Sequence, residues 1–434
     1  MKNGCRYAII EEESIWEDVT MPERLIIILL AVLGNLYALA LSLVEYRSAG
    51  NPTPQNVADV YDAESYQKWK RYSAEHCRLT LASTAVICIT TVVFLCTDLY
   101  AAFAALFPTG FFWQLFAVIL LESVVGTVIE VVRNYVAIMV IEQKYGFNRS
   151  TMKTFVFDRI RGFLLSTGLS LLLAQLMSVF HRAMGDWLIV AFTAAIFCFS
   201  LLISFLYPVF SRIGNKFVPL EDGELKEQLM ALLTKHGYQV KAIEVMDASR
   251  RTTKLNAYFT GFGKMKRIVL YDNLVNAMSA EEICAVFAHE LGHGLHKDVL
   301  KQQIMNIGNL FLMALVVWVA VREPRFYTAF GFEQVNYGFA YILVGIGLGL
   351  VQPLTGLVMN AYSRVAEYRA DRQAVKEGYG AAMITALKKL ARDNFAHLAP
   401  SRINVVLEYS HPPLSERIAA VEKLLDETES KEAE

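Results

Sequence analysis

Seven stretches of the chain are apolar over the length a bilayer-spanning helix needs, roughly 20 residues. Residues 25–44 carry no charge, and residues 79–107 carry only Asp98. Residues 111–141 form a longer run containing Glu122, Glu130 and Arg133. Residues 163–180 and 187–207 are parted by a short polar turn, and residues 304–321 and 339–359 follow the main polar region. The pattern predicts a mostly α, polytopic membrane protein with seven transmembrane helices. The segment 211–300 interrupts it with another periodicity. Leu225, Leu229 and Leu232 recur at helical spacing within residues 224–236. Residues 241–246 and 267–271 are short, rich in branched side chains, and read as strands. Between them, Asn256-Ala257-Tyr258-Phe259-Thr260-Gly261 reads as a strand running into a turn. Ser279 followed by Glu282 is a capping box, so a helix starts there. Residues 361–390 and 412–425 read as helical, and 426–434 as a frayed acidic end.

Composition agrees with a membrane protein. Apolar residues make up 55% of the 434 and charged residues 19%, against about 45–50% and a quarter in soluble domains. A formal net charge of −1 gives nucleic acid nothing to bind. The six cysteines are scattered without a CxxC pair, which excludes a disulfide framework or thiolate metal site. Basic residues set the orientation. Arg47, Lys68, Lys70, Arg71 and Arg78 follow the first span, and Lys144, Arg149, Lys153, Arg159 and Arg161 follow the third. These loops, the segment 211–300 and the C-terminus are expected in the cytosol, with the N-terminus outside. The expected organisation is a tail (1–24), five spans with their loops (25–210), a small cytosolic α/β insert (211–300), two spans (301–360), C-terminal helices (361–425) and an acidic tail (426–434).

The capped helix carries His289-Glu290-Leu291-Gly292-His293. Histidines four apart share one helix face, so both imidazoles can hold one metal ion. Glu290 between them lies beside the metal position and can take a proton from a water there. A catalytic zinc site needs a third protein ligand and an open position. Glu367, in Ser363-Arg364-Val365-Ala366-Glu367-Tyr368-Arg369-Ala370-Asp371, is the best candidate downstream. Asp371, one turn on, can hold the second nitrogen of a ligand histidine; its bland alternative is a cap or a pair with Arg364 or Arg372. Asn256 and His411 are candidates for stabilising an oxyanion. His296 reads as an interfacial residue, while His76, His181, His236 and His397 have no partner pattern.

Together these motifs resemble the type I CAAX prenyl endopeptidases, relatives of the HtpX-like proteases. Lys153-Thr154-Phe155-Val156-Phe157-Asp158 after the third span, Asn256–Gly261, His289–His293, Ser363–Asp371 and Glu408-Tyr409-Ser410-His411-Pro412-Pro413 with Arg417 carry the resemblance. It implies a gluzincin-like protease domain and one Zn2+ per chain, held by His289, His293 and Glu367. It also implies Glu290 as general base, Asp371 and His411 in catalysis, and a substrate strand along Asn256, Ala257 and Tyr258. The implied substrates are membrane-associated polypeptides, prenylated CAAX sequences among them. The implied setting is a bacterial inner membrane or the endoplasmic reticulum, with the bilayer as the other partner. Residues 294–298 depart from the commonest family pattern and are expected not to touch the ligands.

Asp98, Glu122, Glu130 and Arg133 read either as the wall of a hydrated chamber or as structural charges, with Glu130 and Arg133 spaced to pair. They also motivate a rival, a transporter with a vestigial metal motif. An HtpX-like quality-control protease is the nearer alternative, and a non-catalytic scaffold the weakest, since it has no use for Glu290.

Overall fold

The computed structural model describes residues 8–212, 215–238, 240–260 and 267–432. Lys2 and Arg6 of the N-terminal tail, Gly261 of the strand motif and the last two residues of the acidic tail lie outside them.

The first half of the chain forms long apolar helices: α1 (Ala8–Ser48), α2 (Ala63–Cys96), α3 (Phe111–Asn134), α4 (Met152–Met184) and α5 (Leu188–Phe210). Their starts follow local chemistry. The Asp62 carboxylate accepts the Ser65 N–H at 2.7 Å ahead of α2, and the Thr151 hydroxyl accepts that of Thr154 at 3.3 Å ahead of α4. The second span ends earlier than expected, at Cys96. Thr97 turns extended at φ −122°, Asp98 pairs with Arg24, and Leu99–Ala104 forms a separate short helix. α3 continues as a π-helix over Tyr135–Glu142. A 3-10 turn at Gly185–Trp187 separates α4 from α5, with Gly185 in a conformation (φ 56°, ψ −126°) that suits glycine.

A four-stranded sheet follows: β1 (Phe217–Pro219), helix α6 (Glu224–Lys235), then β2 (Ala242–Met246), β3 (Ala257–Thr260) and β4 (Arg267–Tyr271). Its order is β1-β2-β4-β3, with β2 parallel to β4 and the outer strands antiparallel. Among the described residues β3 is therefore an edge strand. The apolar face of the sheet (Ile243, Ile268, Leu270) packs on Leu229, Leu232 and Leu233 of α6 and on Ile283, Cys284 and Phe287 of α7 (Ala280–Leu295). The capping box of α7 is formed: Ser279 accepts from the Glu282 N–H, and Glu282 accepts from that of Ser279.

α8 (Asp298–Arg322) and α9 (Tyr337–Lys376) re-enter the apolar bundle. The region expected as one helix over 361–390 is divided. Gly378 takes φ 87°, ending α9, and α10 (Gly380–Asp393) begins beyond it. The last helix, α11 (Leu414–Glu432), runs through the segment expected to fray, anchored by the fully buried Ile418 and Val421.

Among the described residues, six stretches are long and apolar enough to cross a membrane: Pro22–Ser48, Ala63–Cys96, Phe111–Tyr145, Met152–Leu206, Asp298–Arg322 and Tyr337–Lys376. Two of the seven expected spans fall within the fourth, on either side of its 3-10 turn. Leu29, Leu33, Leu164 and Leu165 point outward from these helices, as side chains facing lipid do. Inside, Leu95, Leu115, Tyr327 and Phe339 form a tightly packed core. Glu122 accepts the Tyr100 hydroxyl at 2.8 Å. Glu130 does not pair with Arg133. It accepts from the Asn134 amide at 3.0 Å and lies 3.8 Å from Arg159. Glu122, Glu130 and Arg133 line one cavity of about 370 Å³ between α2 and α3.

Candidate metal centre

Small residues bring α7 and α9 together. Ala285 and Ala288 on α7, and Ala366, Ala370 and Ala374 on α9, are each no more than 2% exposed. Gly292, between the two motif histidines, is a point of close approach. A Cβ there would sit 3.0 Å from the Ala370 Cα and 3.0 Å from the Gln373 Cβ. That contact sets Glu367 of α9 opposite His289 and His293 of α7.

Glu367 Oε2 lies 3.4 Å from His289 Nε2, and Oε1 lies 3.3 Å from His293 Nε2. One ligand atom from each of the three residues lies within 4.8 Å of the others. Behind the rings, His289 Nδ1 is 2.8 Å from Asp371 Oδ1 and His293 Nδ1 is 3.1 Å from Asp298 Oδ2. A carboxylate on Nδ1 favours the tautomer with the proton there and leaves Nε2 a free lone pair. The donor set suits a divalent ion such as zinc, because two neutral imidazoles and one carboxylate form a common catalytic triad of ligands. The structure offers a further test of fit. Glu367 Oε2 is buried without a hydrogen-bond donor, which is costly unless a cation completes it.

Electrostatics point the same way. Burial alone would push His289 down, but the neighbouring carboxylates of Asp371 and Glu367 outweigh that and hold it up at about 9. His293 is likewise raised against burial, first by Glu367. The carboxylates thus demand positive charge between them, which protons or a metal ion can supply.

Glu290 is half-buried and lines a small cavity with Ala257 and Tyr258 of β3, and with Phe287. Asn256 is exposed at the head of β3; its Oδ1 accepts the Ala257 N–H at 2.9 Å and its backbone carbonyl that of Tyr271 at 3.1 Å. His411 is exposed, with Nε2 3.3 Å from Glu367 Oε1 and Nδ1 2.9 Å from the Ser410 hydroxyl. The structure therefore brings His289, His293, Glu367, Asp371 and His411 into one cluster, with Glu290, Ala257 and Tyr258 around an adjoining space.

Arg417 completes the cluster. Its Nε donates to Asp371 Oδ2 at 2.9 Å, its Nη2 to Oδ1 at 2.7 Å, and its Nη1 lies 3.4 Å from Glu367 Oε2. Asp371 thus pairs with neither Arg364 nor Arg372. The motif containing Arg417 was visible in the sequence, but its partner was not. Asp298 overturns an expectation: the segment 294–298 does touch a candidate ligand, through His293. The signal, a carboxylate five residues past a motif histidine, is weak without the turn that places it. His296 caps the end of α7.

Comparison with known proteins agrees in order and extent. Residues 219–425 match the family model for Peptidase family M48, and residues 43–212 match that for the CAAX prenyl protease N-terminal, five membrane helices. The CAAX prenyl protease 1 of Saccharomyces cerevisiae is 29% identical over 94% of this chain and 97% of its own length. The CAAX prenyl protease 1 homolog of Oryza sativa is 34% identical over 65% of this chain and 67% of its own length. The crystal structure of S. mikatae Ste24p superposes with a TM-score of 0.84 at 28% identity, covering 92% of this chain and 99% of that one.

Proposed function

The chain belongs to the CAAX prenyl protease 1 family, and from that premise we propose that it cuts membrane-associated CAAX polypeptides carrying a prenylated cysteine, at a zinc centre held by His289, His293 and Glu367. It is a multi-pass membrane protein and a metalloendopeptidase. The observation that carries the reading is the trio of His289, His293 and Glu367, the first and last of them buried, with a Glu367 oxygen that receives no hydrogen bond, beside Glu290 and strand β3.

The substrate backbone adds to the β3 edge as a further strand along Asn256, Ala257 and Tyr258, its main-chain hydrogen bonds made with those backbone groups that turn away from β4. This lays the scissile bond beside Glu290. Zinc, when bound, supplies Lewis-acid activation of water and of the scissile carbonyl. Glu290 takes the proton of the attacking water and returns it to the leaving amine. His411 and Asn256 donate to the developing oxyanion. Asp371 holds His289 in the tautomer that leaves Nε2 free, and Arg417 keeps Asp371 charged and fixed. In this reading α4 and α5 cross the bilayer separately, giving seven spans, and the sheet and metal centre face the cytosol, where prenylated tails are made available. The membrane is a bacterial inner membrane or the endoplasmic reticulum.

The test is cleavage by purified protein in detergent, using a farnesylated CAAX peptide and its unprenylated twin. Preference for the farnesylated peptide, abolished by a chelator, is expected. Equal cleavage of both would remove prenyl specificity and favour a quality-control protease of the HtpX type. Cleavage of neither by zinc-loaded protein would refute the substrate class.

A further inference from the structure

The turn between the metal helix and the next membrane helix is built around one buried carboxylate. α7 ends at Leu295, and Lys297 takes a left-handed conformation (φ 55°, ψ 37°) that non-glycine residues adopt at a cost. The chain then enters α8 directly at Asp298, only 2% exposed. Its Oδ2 lies 3.1 Å from His293 Nδ1. Its Oδ1 is occupied from α9: the Tyr362 hydroxyl donates to it at 2.9 Å and Arg369 Nη2 at 2.7 Å, with Arg369 also donating to the Tyr362 oxygen at 3.2 Å. With Oδ1 taken, Oδ2 is left to accept the imidazole N–H. The arginine contact gives the buried carboxylate a charged hydrogen-bond donor.

The same construction stands behind the other histidine, where Asp371 meets His289 Nδ1 at 2.8 Å and is held by Arg417. Each ring thus has an aspartate–arginine pair on one nitrogen and Glu367 facing the other. We propose that Asp298 is a positioning residue of the metal centre, fixing the tautomer and ring plane of His293, with Tyr362 and Arg369 fixing Asp298. One helix, α9, would then supply the carboxylate ligand and orient both histidines, through Asp371 directly and through Tyr362, Arg369 and Asp298 indirectly. The strained turn at Lys297 is the local cost of bringing Asp298 within reach of the ring. This rests on the metal-centre reading above.

The test uses full-length protein in detergent: wild type, Asp298→Ala, Asp298→Asn and Tyr362→Phe. Zinc affinity is read by chelator competition, ligand geometry by the visible absorption of the cobalt-substituted protein, and folding by the melting temperature of the metal-free chain. The expected result is zinc weakened roughly 10- to 100-fold in Asp298→Ala, and less in Asp298→Asn and Tyr362→Phe. The cobalt bands should shift in Asp298→Ala and Asp298→Asn. Unchanged affinity and superimposable cobalt spectra in Asp298→Asn and Tyr362→Phe would overturn the proposal, even if Asp298→Ala fails to fold. So would losses of affinity that only track the metal-free melting temperature. A wild-type chain that binds no zinc would refute the metal centre itself and this proposal with it, whereas zinc-bound wild type that cuts no CAAX peptide would refute only the substrate.

Discussion

Glu367 and Glu122 are both carboxylates withdrawn from bulk water, and their surroundings differ. Glu367 faces two imidazoles and the Arg417 guanidinium, and two aspartates stand behind those imidazoles. Every group there has a specific partner, although Glu367 Oε2, 3.4 Å from both His289 Nε2 and Arg417 Nη1, receives no hydrogen bond. Glu122 has a single neutral donor, Tyr100, and borders cavities of about 370 and 380 Å³ along with Thr91, Asn35 and Tyr341. The first environment is over-determined around one missing charge. The second is a loosely partnered polar wall with room for water. Buried charge is therefore not by itself the mark of the chemistry in this molecule; closure of the surrounding network is.

The largest effect that sharpens the contrast is expected at the ligand. Glu367→Gln should lose zinc and reduce cleavage by at least about 10³-fold, since a catalytic zinc site needs its full ligand set; metal analysis beside a peptide assay reads both. If the substitution left zinc stoichiometric, the contrast would be wrong. Arg417→Met should come next. It leaves Asp371 as a buried charge without its main partner, at a cost of about 3–5 kcal/mol in stability, read as a lower unfolding midpoint with zinc affinity reduced alongside.

A pH effect of intermediate size follows from His289. Its pKa rises from 6.5 to about 9 on folding. In the metal-free chain, its contribution to stability is therefore full below about pH 6.5 and is lost as pH climbs through about 9. Zinc competes with that proton. Apparent affinity should climb about tenfold per pH unit between about 7 and 9, then flatten; calorimetry in buffers of different ionisation enthalpy would register the released proton. The smallest effect is expected from Glu122→Gln, which keeps an acceptor for Tyr100. Cleavage should stay within about twofold of wild type, and stability within about 1 kcal/mol. A large loss of cleavage there would break the contrast and give the intramembrane wall a part in the reaction.

What could be read in advance follows how local each signal is. The start of the metal helix was legible because Ser279 and Glu282 lie three apart and satisfy one another. The approach of Glu367 was legible as chemistry, because two histidines at helical spacing call for a third ligand. The geometry behind it, Gly292 against Ala370, involves residues nearly 80 positions apart and leaves only a string of small residues in the sequence. Asp298 was misjudged because its reach to His293 depends on the left-handed Lys297, which no pattern announces. The break at Gly378 was missed because residues on both sides of it keep helical spacing. Strand β1 is three residues long and found only by its pairing with β2. The membrane-spanning half was legible in outline because a bilayer imposes run length. The early end of the second span turned on Thr97 and the distant pair of Asp98 with Arg24.

The most direct test of the central claim is cleavage of a farnesylated CAAX peptide by wild-type protein and by Glu290→Gln, with zinc content measured on the same samples. The account predicts about one zinc per chain in both, and hydrolysis reduced by at least about 10³-fold in the variant, because the base is lost while the ligands remain. Undiminished turnover in zinc-loaded Glu290→Gln would contradict it and leave the histidine motif without a hydrolytic role.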